Sequence, residues 1–203
     1  MKKTLLLSLL CLFSGIPHAF AEEKPFHATE IVNANFAQDF RLKDASGKMR
    51  TLADWRGKAV LIFFGYTHCP DVCPTTLLRI AQAVRQMGEA AQKLQVLFVT
   101  LDPARDTPDI LREYTTAFHP DFIGLYTSPQ ETQELTHNFR IFYRINPGRN
   151  PNTYSIDHSV QTYVYDPKGH LRLAIGHDAT AEDIAADLQK LLGIAQQNPK
   201  SSP

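Results

Sequence analysis

The sequence lacks the marks of several common protein classes. It has no charge surplus: 21 lysines and arginines stand against 21 aspartates and glutamates. That balance leaves no electrostatic footprint for a nucleic acid or an acidic lipid surface. It also has no apolar run long enough to cross a bilayer. The apolar run at its start, Thr4 to Ile16, falls short of the roughly 20 residues a spanning helix needs. Cysteine is scarce, with three in 203 residues, so the chain is no disulfide-dense mini-domain. No internal repeat breaks it into modules, and its length fits one domain with a sizeable core.

What is present begins with a leader. Met1-Lys2-Lys3, the apolar run and Ala19-Phe20-Ala21 have the three parts of a secretory signal peptide. Residues 1–21 are expected to be cleaved, with export to the periplasm as a soluble protein and no integral membrane segment left. An uncleaved leader acting as a membrane tether is the alternative. Residues 22–35 are expected to be a flexible segment, 36–194 the folded domain and 195–203 a disordered tail. Cys11 leaves with the leader, so Cys69 and Cys73 remain. Export is into an oxidising compartment, where a structural disulfide is the first reading to weigh. A bridge across so short a loop removes little chain entropy, and a domain of this size needs no staple. The pair therefore reads as chemical rather than structural.

Along the chain, Phe40 to Asp44 and Lys48 to Leu52 flank Ala45-Ser46-Gly47 and predict a β-hairpin. Ala59 to Phe64 and Leu94 to Leu101 are continuously apolar, as strands buried on both faces are. Between them, Leu77, Leu78, Ile80, Ala81, Val84 and Met87 recur at helical spacing up to Gly88. Pro74 is compatible only with that helix's first turn, which puts both cysteines at or just before its N-terminus. Thr107-Pro108 reads as N-cap and first helical residue of one more helix, and Ser128-Pro129 opens another that runs to about Phe142. Asp121 to Tyr126 is a short strand between them. Arg144 to Asp157, rich in Asn and Pro, is expected to be a surface loop. His158 to Tyr165 and His170 to Ile175 form a second hairpin across Asp166-Pro167-Lys168-Gly169, and Ala181 to Ile194 is a terminal amphipathic helix. Helix-linked strands imply parallel pairing and the last hairpin an antiparallel pair. The expected fold is α/β: a thioredoxin-like mixed sheet flanked by helices, with an N-terminal β-hairpin.

The cysteine spacing is the informative feature. A helix N-terminus favours a thiolate, the form that attacks disulfides and binds metals. Thioredoxin-type oxidoreductases separate their cysteines by two residues; here Pro70, Asp71 and Val72 intervene. A disulfide remains within reach but near the outer limit of bridging distance. Two thiolates and an imidazole suit Cu(I), whereas a closed structural zinc site wants four ligands. His158 is the candidate third ligand. In a thioredoxin-like fold its loop faces the cysteines, where oxidoreductases place a cis-proline, and no proline lies between Pro151 and Pro167. His68, next to Cys69, reads as a packing or hydrogen-bonding residue. Asp102, Arg105 and Asp106 read either as a local ion pair and cap or as a surface for docking a partner.

Gly65 to Pro74, Asp102 to Pro108, Asp157-His158-Ser159 and Tyr165 to Gly169 together resemble the SCO/SenC family over about residues 36–192. These are thioredoxin-like copper proteins that help assemble the dinuclear copper centre of cytochrome c oxidase. The resemblance implies that Cys69, Cys73 and His158 bind copper, as Cu(I) with Cu(II) as a further state, and that the thiol pair cycles with a disulfide. It implies the copper-containing oxidase subunit and other periplasmic copper chaperones as partners, and makes Asp102, Arg105 and Asp106 a candidate docking surface for the former. A metallochaperone, not an enzyme, is the leading expectation. A thiol–disulfide reductase acting on the oxidase copper-site cysteines, or in periplasmic redox and copper homeostasis, is the alternative.

Overall fold

The structure is a computed structural model that describes residues 25–150 and 153–194. The expected leader, residues 1–21, and the expected tail, residues 195–203, lie outside the described residues.

The two continuously apolar segments form the centre of the sheet. They are β4 (Ala59–Gly65) and β5 (Leu94–Thr100), paired in parallel from Ala59↔Leu94 to Gly65↔Thr100, and every residue of both is buried. Because side chains alternate across a strand, Leu61 and Phe63 join one core, with α1 (Val72–Gln86), α2 (Pro108–Phe118) and α4 (Ala181–Leu191). Ile62 and Phe64 join the other, with Trp55 and with Leu135 of α3 (Pro129–Asn138). The sheet extends through β6 (Ile123–Tyr126), parallel to β5, and through β9 (Thr162–Tyr165), antiparallel to β4. β10 (Leu171–Ile175) pairs antiparallel with β9 across a turn in which Gly169 donates to the Asp166 carbonyl.

The N-terminal hairpin forms as expected: β2 (Leu42–Asp44) and β3 (Met49–Arg50) are antiparallel, and β2 adds to β6. Its turn is held by Asp44, whose carboxylate accepts from the amides of Ser46 and Lys48, and Gly47 takes a φ of 82°, the left-handed conformation glycine tolerates best. With β1 (Thr29–Glu30) on β10, the order is β1-β10-β9-β4-β5-β6-β2-β3. This is the thioredoxin-like mixed sheet that the element order predicts.

Three features differ from the sequence reading. The ordered attachment of the chain begins before Phe36: β1 pairs with β10, and the amides of His27 and Ala28 donate to the buried carboxylate of Asp187 at 2.8 and 2.7 Å. α3 ends at Asn138 instead of reaching Phe142, because Phe139 turns into the core and Arg140 takes a φ of 53°. The stretch 144–157 is not all loop. β7 (Tyr143–Asn146) and β8 (Ser155–His158) form a separate two-stranded sheet, with Ile145 opposite Ile156 and an Arg144–Asp157 ion pair at 2.7 Å. His158 therefore closes a strand, where the sequence placed it at a strand's start.

Asp187→Ala leaves two amides without their acceptor, which costs about 2–3 kcal/mol. For a domain of this size the midpoint of thermal unfolding should fall by roughly 5–10 °C; calorimetry of wild type and variant checks it.

Candidate metal centre

The site lies at the carboxyl end of β4, the side where open α/β sheets bind ligands. The strand stops at Gly65, a turn closes through the Cys69 amide donating to the Tyr66 carbonyl at 3.2 Å, and α1 starts at Val72. Cys73 and Pro74 thus sit in the first helical turn, where a proline ring displaces no hydrogen bond, and Cys69 lies just ahead of it. Cys73 is fully buried in the core; Cys69 is half-buried at its rim. Both are free thiols.

Gly65 matters because of what it leaves open. A Cβ at this position would lie 2.8 Å from the Cys73 sulfur and 2.9 Å from the Phe98 ring. Only the missing side chain lets that sulfur pack against the strand. The requirement is invisible in the sequence until α1 is laid over β4.

His158 approaches from β8. Its Nε2 is 3.5 Å from Cys73 Sγ, and its Nδ1 is 2.7 Å from the Ser159 carbonyl. A carbonyl only accepts, so Nδ1 carries the proton and Nε2 is the atom turned to the sulfurs. In the neutral ring Nε2 presents a lone pair to them; in the cationic ring it donates. Phe63 and Tyr66 stand edge-on to the imidazole at 6.4 and 6.1 Å between centroids, and the Tyr66 hydroxyl accepts from the Ile156 amide at 3.4 Å. One ligating atom from each of Cys69, Cys73 and His158 falls within a 4.8 Å cluster. Two sulfurs and one imidazole nitrogen are the donors a soft, low-coordinate ion prefers.

The two thiols are electrostatically unlike. The Cys73 thiol, donating to Cys69, holds the Cys69 pKa down to about 3, helped by His158 and by the amides of Asp71 and Cys73 at the helix start. Cys73 is pushed the other way, by its role as donor to Cys69 and by burial. Cys69 is the thiolate and Cys73 the thiol that supports it.

The remaining candidates sit in one turn, 102–107, that follows β5. Asp106 is buried and accepts from the Thr67 amide at 3.0 Å, the Thr67 hydroxyl at 2.5 Å and the Thr100 hydroxyl at 2.6 Å. Asp102, also buried, accepts from Arg105 Nε at 2.5 Å and from the Tyr154 hydroxyl. Arg105 donates to the Tyr154 carbonyl at 3.0 Å, with its guanidinium carbon 3.6 Å from the centre of the Tyr154 ring. The local ion pair is present, and the two carboxylates face inward. His68 is half-exposed, 3.2 Å from the Thr67 hydroxyl and 3.7 Å from Asp106. It stands outside the thiol cluster. His68, Asp102 and Asp106 also converge within 4.8 Å, but all four carboxylate oxygens are already engaged. The internal partners Tyr66 and Tyr154 escape sequence reasoning; the only signal was their place next to the cysteine loop and the histidine strand.

The description of the SCO1/SenC family matches residues 28–193. The chain belongs to this family. It is 37% identical to the human mitochondrial SCO2 homolog over 155 residues, covering 75% of this chain and 58% of that protein. It therefore spans a little over half the length of that relative. Among solved structures, the copper-bound ScoI of Bradyrhizobium japonicum aligns with a TM-score of 0.69 and 38% identity, covering 75% of this chain and 97% of that one. The apo Sco1 of Thermus thermophilus aligns at 0.75 and 38%, covering 84% and 99%. The thioredoxin-like fold with its additional small hairpin is that of the Sco proteins.

The lowered Cys69 pKa has a measurable consequence. In the reduced, metal-free protein, alkylation by iodoacetamide should select Cys69, with a rate nearly flat between about pH 8 and pH 5. An ordinary cysteine slows about 10³-fold over that range. Peptide mass spectrometry at each pH locates and times the modification; dominant labelling of Cys73 would reverse the assignment of thiolate and thiol.

Proposed function

We propose that this protein is a copper metallochaperone of the SCO1/SenC family, that Cys69, Cys73 and His158 hold the copper, and that the recipient is the dinuclear copper centre of cytochrome c oxidase. One observation carries the reading: two cysteine sulfurs and an imidazole nitrogen converge at the carboxyl end of β4, and the cluster among the described residues contains three donors, not four. Copper bound there is cargo. A three-donor site at a half-buried cysteine leaves one side open to an incoming ligand, so the ion passes by stepwise ligand exchange. Cys69, at the rim, is the donor that a recipient meets first. His158 adds the third bond, with its Nδ1–H fixed on a backbone carbonyl as ligating imidazoles usually are. Cu(I) is the state the two sulfurs favour; the imidazole accommodates Cu(II) as well. The copper bound in the Bradyrhizobium relative supports the choice of metal.

The leader supports an exported, periplasmic site of action. No helix among the described residues is long and apolar enough to cross a membrane. The partners proposed are the copper-containing oxidase subunit and a periplasmic copper donor.

The unlike pair of thiols supports a second role, as a thiol–disulfide reductase that prepares the recipient. The Cys69 thiolate attacks a disulfide of the target, forming a mixed disulfide and releasing one target thiolate. Cys73 then gives its proton to the target thiolate already released and attacks the Cys69 sulfur, releasing the second target thiolate. The target gains two electrons and the Cys69–Cys73 pair gives them up as an intramolecular disulfide. Copper transfer needs reduced thiols on the recipient, so the roles are sequential rather than exclusive.

Copper titration of the full chain tests the first role. Cys69→Ser and Cys73→Ser should each weaken Cu(I) binding on the order of 100-fold or more, His158→Ala by about 10- to 100-fold, and only the wild type should load an apo fragment of the oxidase subunit efficiently. Unchanged binding in His158→Ala would sink the three-donor site. Turnover of a model disulfide tests the second role. It should vanish in either cysteine variant and survive in His158→Ala, whereas loss of turnover in the histidine variant would argue against a reductase working through the thiols alone.

A further inference from the structure

The small β7–β8 sheet carries the third donor, yet it belongs to neither edge of the large sheet. Two strands of four residues are marginal on their own. The large sheet reaches His158 only through the three-residue link to Thr162 of β9 and the edge of Phe63; side chains reaching across to β8 hold its other end.

Those side chains come chiefly from the 102–107 turn. Asp102 and Arg105 hold Tyr154, the residue that leads into β8. The Tyr154 hydroxyl donates to Asp102, Arg105 donates to the Tyr154 carbonyl at 3.0 Å, and the guanidinium stacks on the Tyr154 ring at 3.6 Å. Arg105 is also bonded to Asp102 at 2.5 Å. Its guanidinium lies 5.9 Å from the centre of the Tyr66 ring as well, and that ring stands edge-on to His158 and binds the Ile156 amide through its hydroxyl. The same turn holds the cysteine loop from its other end, through Asp106 to Thr67. Within the turn, the Arg105 and Asp106 amides both donate to the Asp102 carbonyl, at 3.1 and 2.9 Å, so its two grips are rigidly linked.

We infer that Arg105, with Asp102 and Tyr154, is a positioning device that holds the His158 strand at ligating distance from Cys69 and Cys73 without touching the metal. The inference rests on the copper-site reading. It assigns an internal task to charged residues that the sequence alone left open to a docking role. A planar guanidinium is required, because one group must bond a carboxylate, bond a carbonyl and stack on a ring at once. A lysine ammonium keeps the charge but cannot do all three.

A double-mutant cycle on the full chain tests it, with Cu(I) affinity read by competition with a chromophoric Cu(I) chelator. Arg105→Lys should weaken binding about 10-fold, as removal of a group that orients a ligand does. In the His158→Ala background the same substitution should cost less than about twofold, since the ligand it positions is already gone. Tyr154→Phe, which removes only the hydroxyl bonded to Asp102, should show the same non-additivity at smaller size and guards against a misfolded Arg105 variant. In the metal-free protein, the proton–proton contacts between the His158 and Tyr66 rings seen by NMR should weaken in Arg105→Lys, while the amide of Thr67 keeps its shift. Losses that multiply in the double variant, or an Arg105→Lys that binds as wild type while His158→Ala is weakened, overturn the positioning role and leave the copper site standing. Wild-type binding that ignores His158 overturns both.

Discussion

The parallel pairing of β4 with β5 is the constraint on which the rest of the molecule depends. Seven consecutive rungs, buried on both faces, bring Gly65 and Thr100 side by side. The chain leaves the sheet at both places, once into the cysteine loop and once into the 102–107 turn. The two segments that meet through Thr67 and Asp106 are thus delivered to each other by the register of the core. A slip of one residue would exchange the two faces of a strand. It would also part Thr100 from Gly65, and with it the Asp106 carboxylate from the loop that it braces.

The core and the thiols were the most legible parts of this chain, for physical reasons. A strand buried on both faces has to be apolar throughout, so Ala59 to Phe64 and Leu94 to Leu101 announce themselves. Caps are local chemistry: Thr107 accepts from an amide three residues on, as read, and Ser128 at the helix opening does the same. The cysteine spacing and Pro74 together placed both sulfurs at a helix start. His158 could be reached only through the fold, by asking what stands opposite the cysteines where a proline is missing. What stayed hidden depends on distant partners. Ala28 and Asp187 are 159 positions apart, and Arg105 and Tyr154 are 49 apart; no local pattern links either pair. The β7–β8 hairpin was masked by its own Asn- and Pro-rich tip, which reads as loop because most of it is. Asp102 and Arg105 read as a local ion pair and cap or as a docking surface, and the ion pair is present. Only their aromatic partner explains why these two turn inward.

The cysteines divide their work by depth. Cys73 is sealed between Gly65 and the helix; its hydrogen serves Cys69, and its own ionisation is suppressed. Cys69 takes the benefit at the rim, where helix amides and the imidazole add to it. Four positions therefore separate a sulfur that ionises readily from one that keeps its proton while its neighbour is a thiolate. The asymmetry is built chiefly from burial and hydrogen bonds, the one from His158 among them. It allows one thiol to meet a partner while the other stays anchored to the core, and that is useful equally to a carrier of metal and to a donor of electrons.

The large sheet ends on both sides in strands of two residues, β1 and β3. So short an edge gives an arriving chain few rungs to extend, and short edge strands are one way that proteins resist edge-to-edge association. For the copper hand-over proposed above, this separates two kinds of contact. Strand addition, which is indifferent to sequence, is discouraged along the flanks. Encounters are left to the end of the molecule where β4 and β5 stop, so a productive meeting is one that arrives at the sulfurs.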